Sequence, residues 1–244
     1  MIKLENYEVV GWEHAIRGMR NPMNSWDKSD SKLVTQTLVD REIAPGVNSL
    51  EWTPCKPYTS LGPNDHELMM KLRNAGTDHR KFLRMITVYV DITAPLYWWK
   101  EFDTYKVGTV ANSCSTMHKI HSKEFELEDF SVDSWVDENG HPFPIYCYIL
   151  EELNYAREHF LETNDKKYWK RMIQLLPTSY NQRRTVMLNY EVLANMYKSR
   201  KNHKLDEWHA FCDWIEKLPY SELITGNLNN KPDFTNHDGS HDYD

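Results

Sequence analysis

The chain has 244 residues, 40% of them apolar and 13% aromatic, and a formal charge of -7 at pH 7. That length and apolar content suffice for one large domain or two small ones with a substantial core, and they exclude global disorder. The acidic balance argues against broad binding along a DNA or RNA backbone, which calls for a basic stripe, but not against one nucleotide, whose phosphates need only one or two cations.

The N-terminal MIKLENYEVVGWEH carries glutamates where a signal peptide needs an apolar core. No run approaches the ~18 apolar residues of a membrane span, so a soluble, cytoplasmic protein without a membrane partner is expected. Cys55, Cys114, Cys147 and Cys212 form no C-x-x-C pair, which points to reduced thiols and not to zinc. Glu13, Asp27 and Asp30 are loop carboxylates without a metal-binding spacing.

In chain order, YEVV (7–10) predicts a short strand, Trp12 to Met19 a helix, and NPMNSWDKSDS a polar loop. Pro54, Pro57 and Pro63, with Pro45 just before, predict irregular chain from Leu50 to Pro63. Asn64 and Asp65 are expected to cap a helix over HELMMKLRNAG that stops at Gly76. MITVYVDI (85–92), β-branched and alternating, is the clearest strand. Pro95 then opens a helix over LYWWKEFDTYK, and residues 122–144, charged and holding Pro142 and Pro144, read as a connection. Four helical patterns follow: IYCYILEELNYAREHFLE, KKYWKRMIQLL halted before Pro177, NQRRTVMLNYEVLANMYKSR, and LDEWHAFCDWIEKL. The polar, acidic 225–244 reads as a disordered tail, leaving one domain over 1–224. The expected class is α+β, an antiparallel or mixed sheet with flanking helices and a helix-rich C-terminal half.

The chemistry concentrates in EFDTYKVGTVANSCSTMH (101–118), where Asn112 and Ser115 stand at N-x-x-S spacing and no glycine-rich phosphate loop is present. Asn112 and Ser115 also suit a turn or a helix cap. Trp98 and Trp99 suit core packing better than a ring platform. Arg200 suits a helix C-terminus, where it complements the macrodipole.

Taken together, HRKFLRMITVYVDITAP, the 96–118 segment and LLPTSYNQRRTVMLNYEVLANMYKSR resemble the two motif blocks of the flavin-dependent thymidylate synthases. His79, the strand to Ile92, Pro95, Glu101, Asn112 and Ser115 fit the first block, and Pro177, Asn189, Asn195 and Arg200 the second. The likeness runs from about residue 5 to 220. It implies a homotetramer with active sites between subunits, dUMP or a related pyrimidine nucleotide as substrate, and FAD as cofactor. Methylenetetrahydrofolate would supply the carbon and NADPH the reducing equivalents, making the protein a methyltransferase. Ser115, Arg200 and Glu101 would hold the nucleotide; His79, Lys106, Asn112, Asn189 and Asn195 would line the flavin. The chemistry needs no enzymic nucleophile, so the protein's work is positioning and electrostatics.

Five basic or imidazole positions of the family pattern are replaced, at Met85, Thr104, Tyr105, Met117 and Glu191. Each charge-assisted hydrogen bond to a phosphate contributes about 1.5–3 kcal/mol, so the losses weaken anion binding, and a carboxylate at 191 opposes it. An alternative therefore stands beside the enzyme: a catalytically inactive relative that binds a protein or a nucleotide.

Overall fold

Alternation sets the sheet. Val88, Val90, Ile92 and Ala94 are buried and the residues between them are not, as a half-covered strand requires. The computed structural model describes residues 2–226. Its strands are β1 (Lys3–Val10), β2 (Lys32–Ala44), β3 (Val47–Ser60), β4 (Thr87–Pro95), β5 (Val110–Ser113) and β6 (Asn181–Asn189). Its helices are α1 (Trp12–Arg20), α2 (Pro63–Asn74), α3 (Leu96–Phe102), α4 (Pro144–Thr163), α5 (Lys166–Leu175), α6 (Tyr190–Arg200), α7 (Asp206–Glu216) and α8 (Glu222–Thr225). One four-stranded sheet has the order β1-β4-β6-β5 with every pair antiparallel, and β2 and β3 form a separate two-stranded ribbon. This is the expected α+β class. No helix among the described residues is long and apolar enough to cross a membrane.

Three expectations are corrected. NQRRTVMLNYEVLANMYKSR is not one helix: its first half is β6, second from the sheet edge, and Asn189 then caps α6 by accepting from Val192 N–H at 2.9 Å. Pairing with β4 and β5 overrides a local sequence rich in helix formers. Residues 50–60 are not irregular but belong to β3. A two-stranded ribbon leaves half of each strand's N–H groups without a ladder partner, so Pro54 is tolerated, and Pro57 falls in the bulge between the Val34–Tyr58 and Gln36–Pro54 pairs. Asn64 and Asp65 do not cap α2, whose N-cap is Gly62 with Pro63 following. The cap comes from across the fold, where the Asp30 carboxylate accepts from Asn64 N–H at 2.9 Å and Asp65 N–H at 3.1 Å. Of the expected 225–244 tail, Thr225 closes α8, and residues from 227 on lie outside the described residues.

The covered face of the sheet packs on α1, α2, α3, α6 and α7 around Trp98, Trp99, Tyr190, Trp208 and Phe211. A second cluster joins α4 and α5 to the 120–136 connection through Phe125, Phe130, Leu153 and Met172. The chain enters α1 through Gly11, at φ 93°, where an added Cβ would lie 2.0 Å from the Met85 carbonyl oxygen. Gly11→Ala combines a left-handed backbone with a backbone clash and should cost at least about 2 kcal/mol, measurable as a lowered urea midpoint with unchanged m-value.

Candidate functional site

Burying Trp98 and Trp99 on one side of α3 turns Glu101 toward the ends of α6 and α7. There the Glu101 carboxylate accepts from Arg200 Nη1 at 2.5 Å and Trp208 Nε1 at 3.1 Å, with His203 Nε2 at 3.2 Å. Arg200, the last residue of α6, also donates from Nε to the Tyr105 hydroxyl at 2.9 Å. Its guanidinium lies 4.8 Å from the Trp208 ring centre and 5.5 Å from that of Tyr105. Two rings and two hydrogen bonds thus fix the group, while its Nη2 has no hydrogen bond to protein among the described residues. A planar guanidinium so held is pre-organised for an oxyanion or a carbonyl.

A second node lies at the start of α6. Arg80 donates from Nε to Glu191 at 3.1 Å and from Nη2 to Asn195 Oδ1 at 3.0 Å. Glu191 Oε2 is buried without a hydrogen-bond partner among the described residues. The carboxylate at 191, which opposes a phosphate, is thus answered by an arginine from the turn before β4. Asn189, besides capping α6, donates to the Gly108 carbonyl at 3.4 Å and ties the 103–109 turn to that helix.

The remaining expected residues do not converge on either node through any hydrogen bond among the described residues. Ser115 Oγ accepts from Met117 N–H at 3.2 Å and His118 N–H at 2.9 Å, closing its own turn. Asn112 is exposed on β5 opposite Thr185, Lys106 is exposed without an ion-pair partner among the described residues, and His79 is exposed beside Arg80. Glu101 and Arg200 meet, and Asn195 sits with Arg80 and Glu191 at the second node. Sequence reasoning missed Arg80, His203 and the indole N–H that Trp208 donates to Glu101. The charge reversal at Glu191 was a usable signal, since a buried carboxylate needs a cation nearby.

Beside Glu101 opens a cleft of about 680 Å³ whose walls include Tyr97, Asp133, Lys204, Asp206 and Glu207. Four carboxylates, counting Glu101, face one lysine there. Tyr97 donates its hydroxyl proton to Glu207, and burial together with that carboxylate pushes the phenol pKa well above its ordinary value. With carboxylates outnumbering the lysine, the cleft repels a phosphate.

No family model matches the sequence, and no curated relative does. Solved structures do match. Thymidylate Synthase X (ThyX) from Helicobacter pylori, with FAD and dUMP, superposes with a TM-score of 0.62 at 17% identity, covering 92% of this chain and 97% of that one. A second structure of that enzyme with FAD and dUMP gives the same score and identity over 98% of its chain. The UMP/dUMP methylase PolB from Streptomyces cacaoi, bound with 5-Br dUMP, gives 0.51 at 10% identity over 88% of both chains. At these identities the likeness is one of fold, and the fold is that of the flavin-dependent thymidylate synthases.

Proposed function

We propose that this protein binds a pyrimidine nucleotide, dUMP or a close analogue, between α3, α6 and α7 and transfers a one-carbon unit to it. The observation that carries the reading is Arg200, clamped between Tyr105 and Trp208 with Nη2 free. Arg200 and Ser115 hold the nucleotide, and Glu101 orients its base or sugar through the bond it already makes to Arg200. The dUMP-bound neighbours support the substrate class.

For FAD, the amides of Asn112 and Asn195 and the imidazole of His79 would suit a ring edge, and Lys106, which makes no ion pair among the described residues, would suit a phosphate, while the Asn189 amide is spent on the α6 cap and the Gly108 carbonyl. Bound reduced flavin would supply hydride, with methylenetetrahydrofolate as carbon donor and NADPH as reductant. The protein's own residues orient the nucleotide and exclude water from it. The reading includes a cytoplasmic homotetramer with its sites shared between subunits.

Arg200→Ala should weaken dUMP binding on the order of 10- to 100-fold, the worth of one charge-assisted hydrogen bond. Loss of the dUMP-induced rise in melting temperature checks it.

A second reading is favoured by a specific observation. Both guanidiniums at the nodes are already neutralised, Arg200 by Glu101 and Arg80 by Glu191, next to a carboxylate-rich cleft. On this reading the protein is a non-catalytic binding module for a nucleotide or a protein. Flavin absorbance in the purified protein with dUMP-dependent NADPH oxidation supports the enzyme. A colourless sample that oxidises no NADPH, yet is stabilised by nucleotide, supports the module.

A further inference from the structure

From the end of α2 to the turn before β4 the chain reads KLRNAGTDHRKFLR (71–84), with Lys71, Arg73, Arg80, Lys81 and Arg84 against one acid, Asp78. The whole chain is acidic, with 36 carboxylates to 29 lysines and arginines, so this stretch reverses the sign locally. Of its five cations only Arg80 has an ion-pair partner among the described residues, and that partner is Glu191. A run of surface cations alone is a solvated face. Arg80 differs because the fold holds it.

Arg80 opens the short 3-10 turn Arg80–Met85. Its side chain is 19% exposed and that of Glu191 10%. The Nε bond to Glu191 is part-buried and the Nη2 bond to Asn195 is exposed, so the guanidinium turns its Nη edge toward solvent. A pair built for stability alone would be fork-to-fork, with two parallel bonds satisfying both carboxylate oxygens. Here Nη2 goes to Asn195 instead, and the second Glu191 oxygen has no partner among the described residues. One bond neutralises Glu191, the other aims the group, and Nη1 makes no hydrogen bond to protein among the described residues. Donors on both Nη atoms thus stay open to a further acceptor.

Arg73, in the last turn of α2, adds a second guanidinium. It is bonded only to neutral acceptors, the carbonyls of Leu223 and Ile224 and the Asn74 amide oxygen. Burial and the charge of Arg80 push its pKa down. Two guanidiniums therefore share one carboxylate, and the node keeps a positive surplus despite Glu191.

We infer that the Arg80 node is an anion subsite that takes a phosphate or pyrophosphate group and restores the positive charge missing at position 191. The cation reaches the start of α6 from the α2–β4 turn, with Glu191 and Asn195 as the residues that position it. The inference deepens the reading above, which gives a phosphate only to Lys106, and rests on that reading for the molecule that brings the phosphate, the flavin cofactor.

The test titrates full-length protein with inorganic pyrophosphate by calorimetry, and with FAD and the phosphate-free riboflavin by fluorescence. Arg80→Gln is made in a Glu191→Gln background, so that no buried carboxylate is stranded, and circular dichroism confirms the fold of both proteins. Saturable pyrophosphate binding to Glu191→Gln, at least about tenfold weaker in the double variant, is expected. The same loss of charge at Arg171, an exposed arginine on α5, should leave pyrophosphate binding unchanged. FAD should weaken with Arg80 and riboflavin should not. Equal pyrophosphate affinity with and without Arg80, or none at millimolar concentration, overturns the subsite. Riboflavin binding that weakens with Arg80 overturns the phosphate assignment by placing the residue at the ring. Arg80-dependent pyrophosphate binding without FAD binding supports the subsite as one for a free anion and overturns the flavin reading alone. dUMP titrated into the same samples scores the Arg200 site separately.

Discussion

Asp65→Ala should cost about 3–5 kcal/mol at neutral pH, the loss seen when one partner of a buried ion pair is removed. Asp65 is fully buried although it lies in the first turn of α2. Its Oδ1 accepts from Arg20 Nε at 2.6 Å, and Oδ2 accepts from the Ser29 and Ser31 hydroxyls, both at 2.7 Å, and from the Asp30 and Ser31 amides. Arg20 also donates to the carbonyls of Ser25 and Lys28. One carboxylate thus closes the polar loop between α1 and β2, and its removal strands a buried guanidinium.

Burial alone would raise the Asp65 pKa, but hydrogen bonds from Ser31, Ser29 and Arg20 outweigh it, and the value lies below the ordinary 3.8. A lowered folded pKa means that the unfolded chain takes up the proton first. The contribution of Asp65 is therefore complete above about pH 4 and fades as the pH falls through the folded value. Urea titrations at pH 7 and near pH 3 check both parts: the gap between wild type and variant should narrow in acid. A difference below about 1 kcal/mol at pH 7, the range of a surface pair, would contradict the assignment.

Trp98→Ala should be as damaging, about 3–5 kcal/mol for a large aromatic truncated in a packed core. Trp98 is fully buried, with ring centres 4.9 Å from Trp99, 5.1 Å from Phe102, 4.8 Å from Trp208 and 5.6 Å from Phe211. The packing role expected of this residue holds. Its indole N–H finds no acceptor among the described residues, so Trp98→Phe removes an unsatisfied donor and should cost clearly less than alanine. Thermal melts discriminate: roughly 10 °C or more is lost for alanine and a few degrees for phenylalanine. Because Trp208 touches both Trp98 and Arg200, the alanine variant should also blunt nucleotide binding.

How far these features were legible depended on the range of the forces behind them. The alternation expected at 85–92 records one buried and one open face and becomes β4, which starts only at Thr87 because Arg80–Met85 forms a 3-10 turn. The first half of NQRRTVMLNYEVLANMYKSR buries only Gln182, Val186 and Leu188, too sparse an alternation to outweigh its helix-forming neighbours. The ribbon was hidden by its prolines, which break a central strand but not a two-stranded one. Glu101 and Arg200, singled out by motif spacing, bond to each other. The Arg20–Asp65 bond joins residues 45 positions apart, and nothing local in either residue announces it. Ser115 closes its own turn and Asn112 is exposed on β5, so neither bonds to Arg200 or Glu191 among the described residues.

The claim that a pyrimidine nucleotide sits against Arg200 is tested most directly by calorimetric titration of the wild-type protein with dUMP, with Arg200→Ala as the paired sample. Saturable binding at one nucleotide per chain that is weakened in the variant is the predicted result. No heat from dUMP or UMP at millimolar concentration, or equal affinity in both proteins, would contradict it.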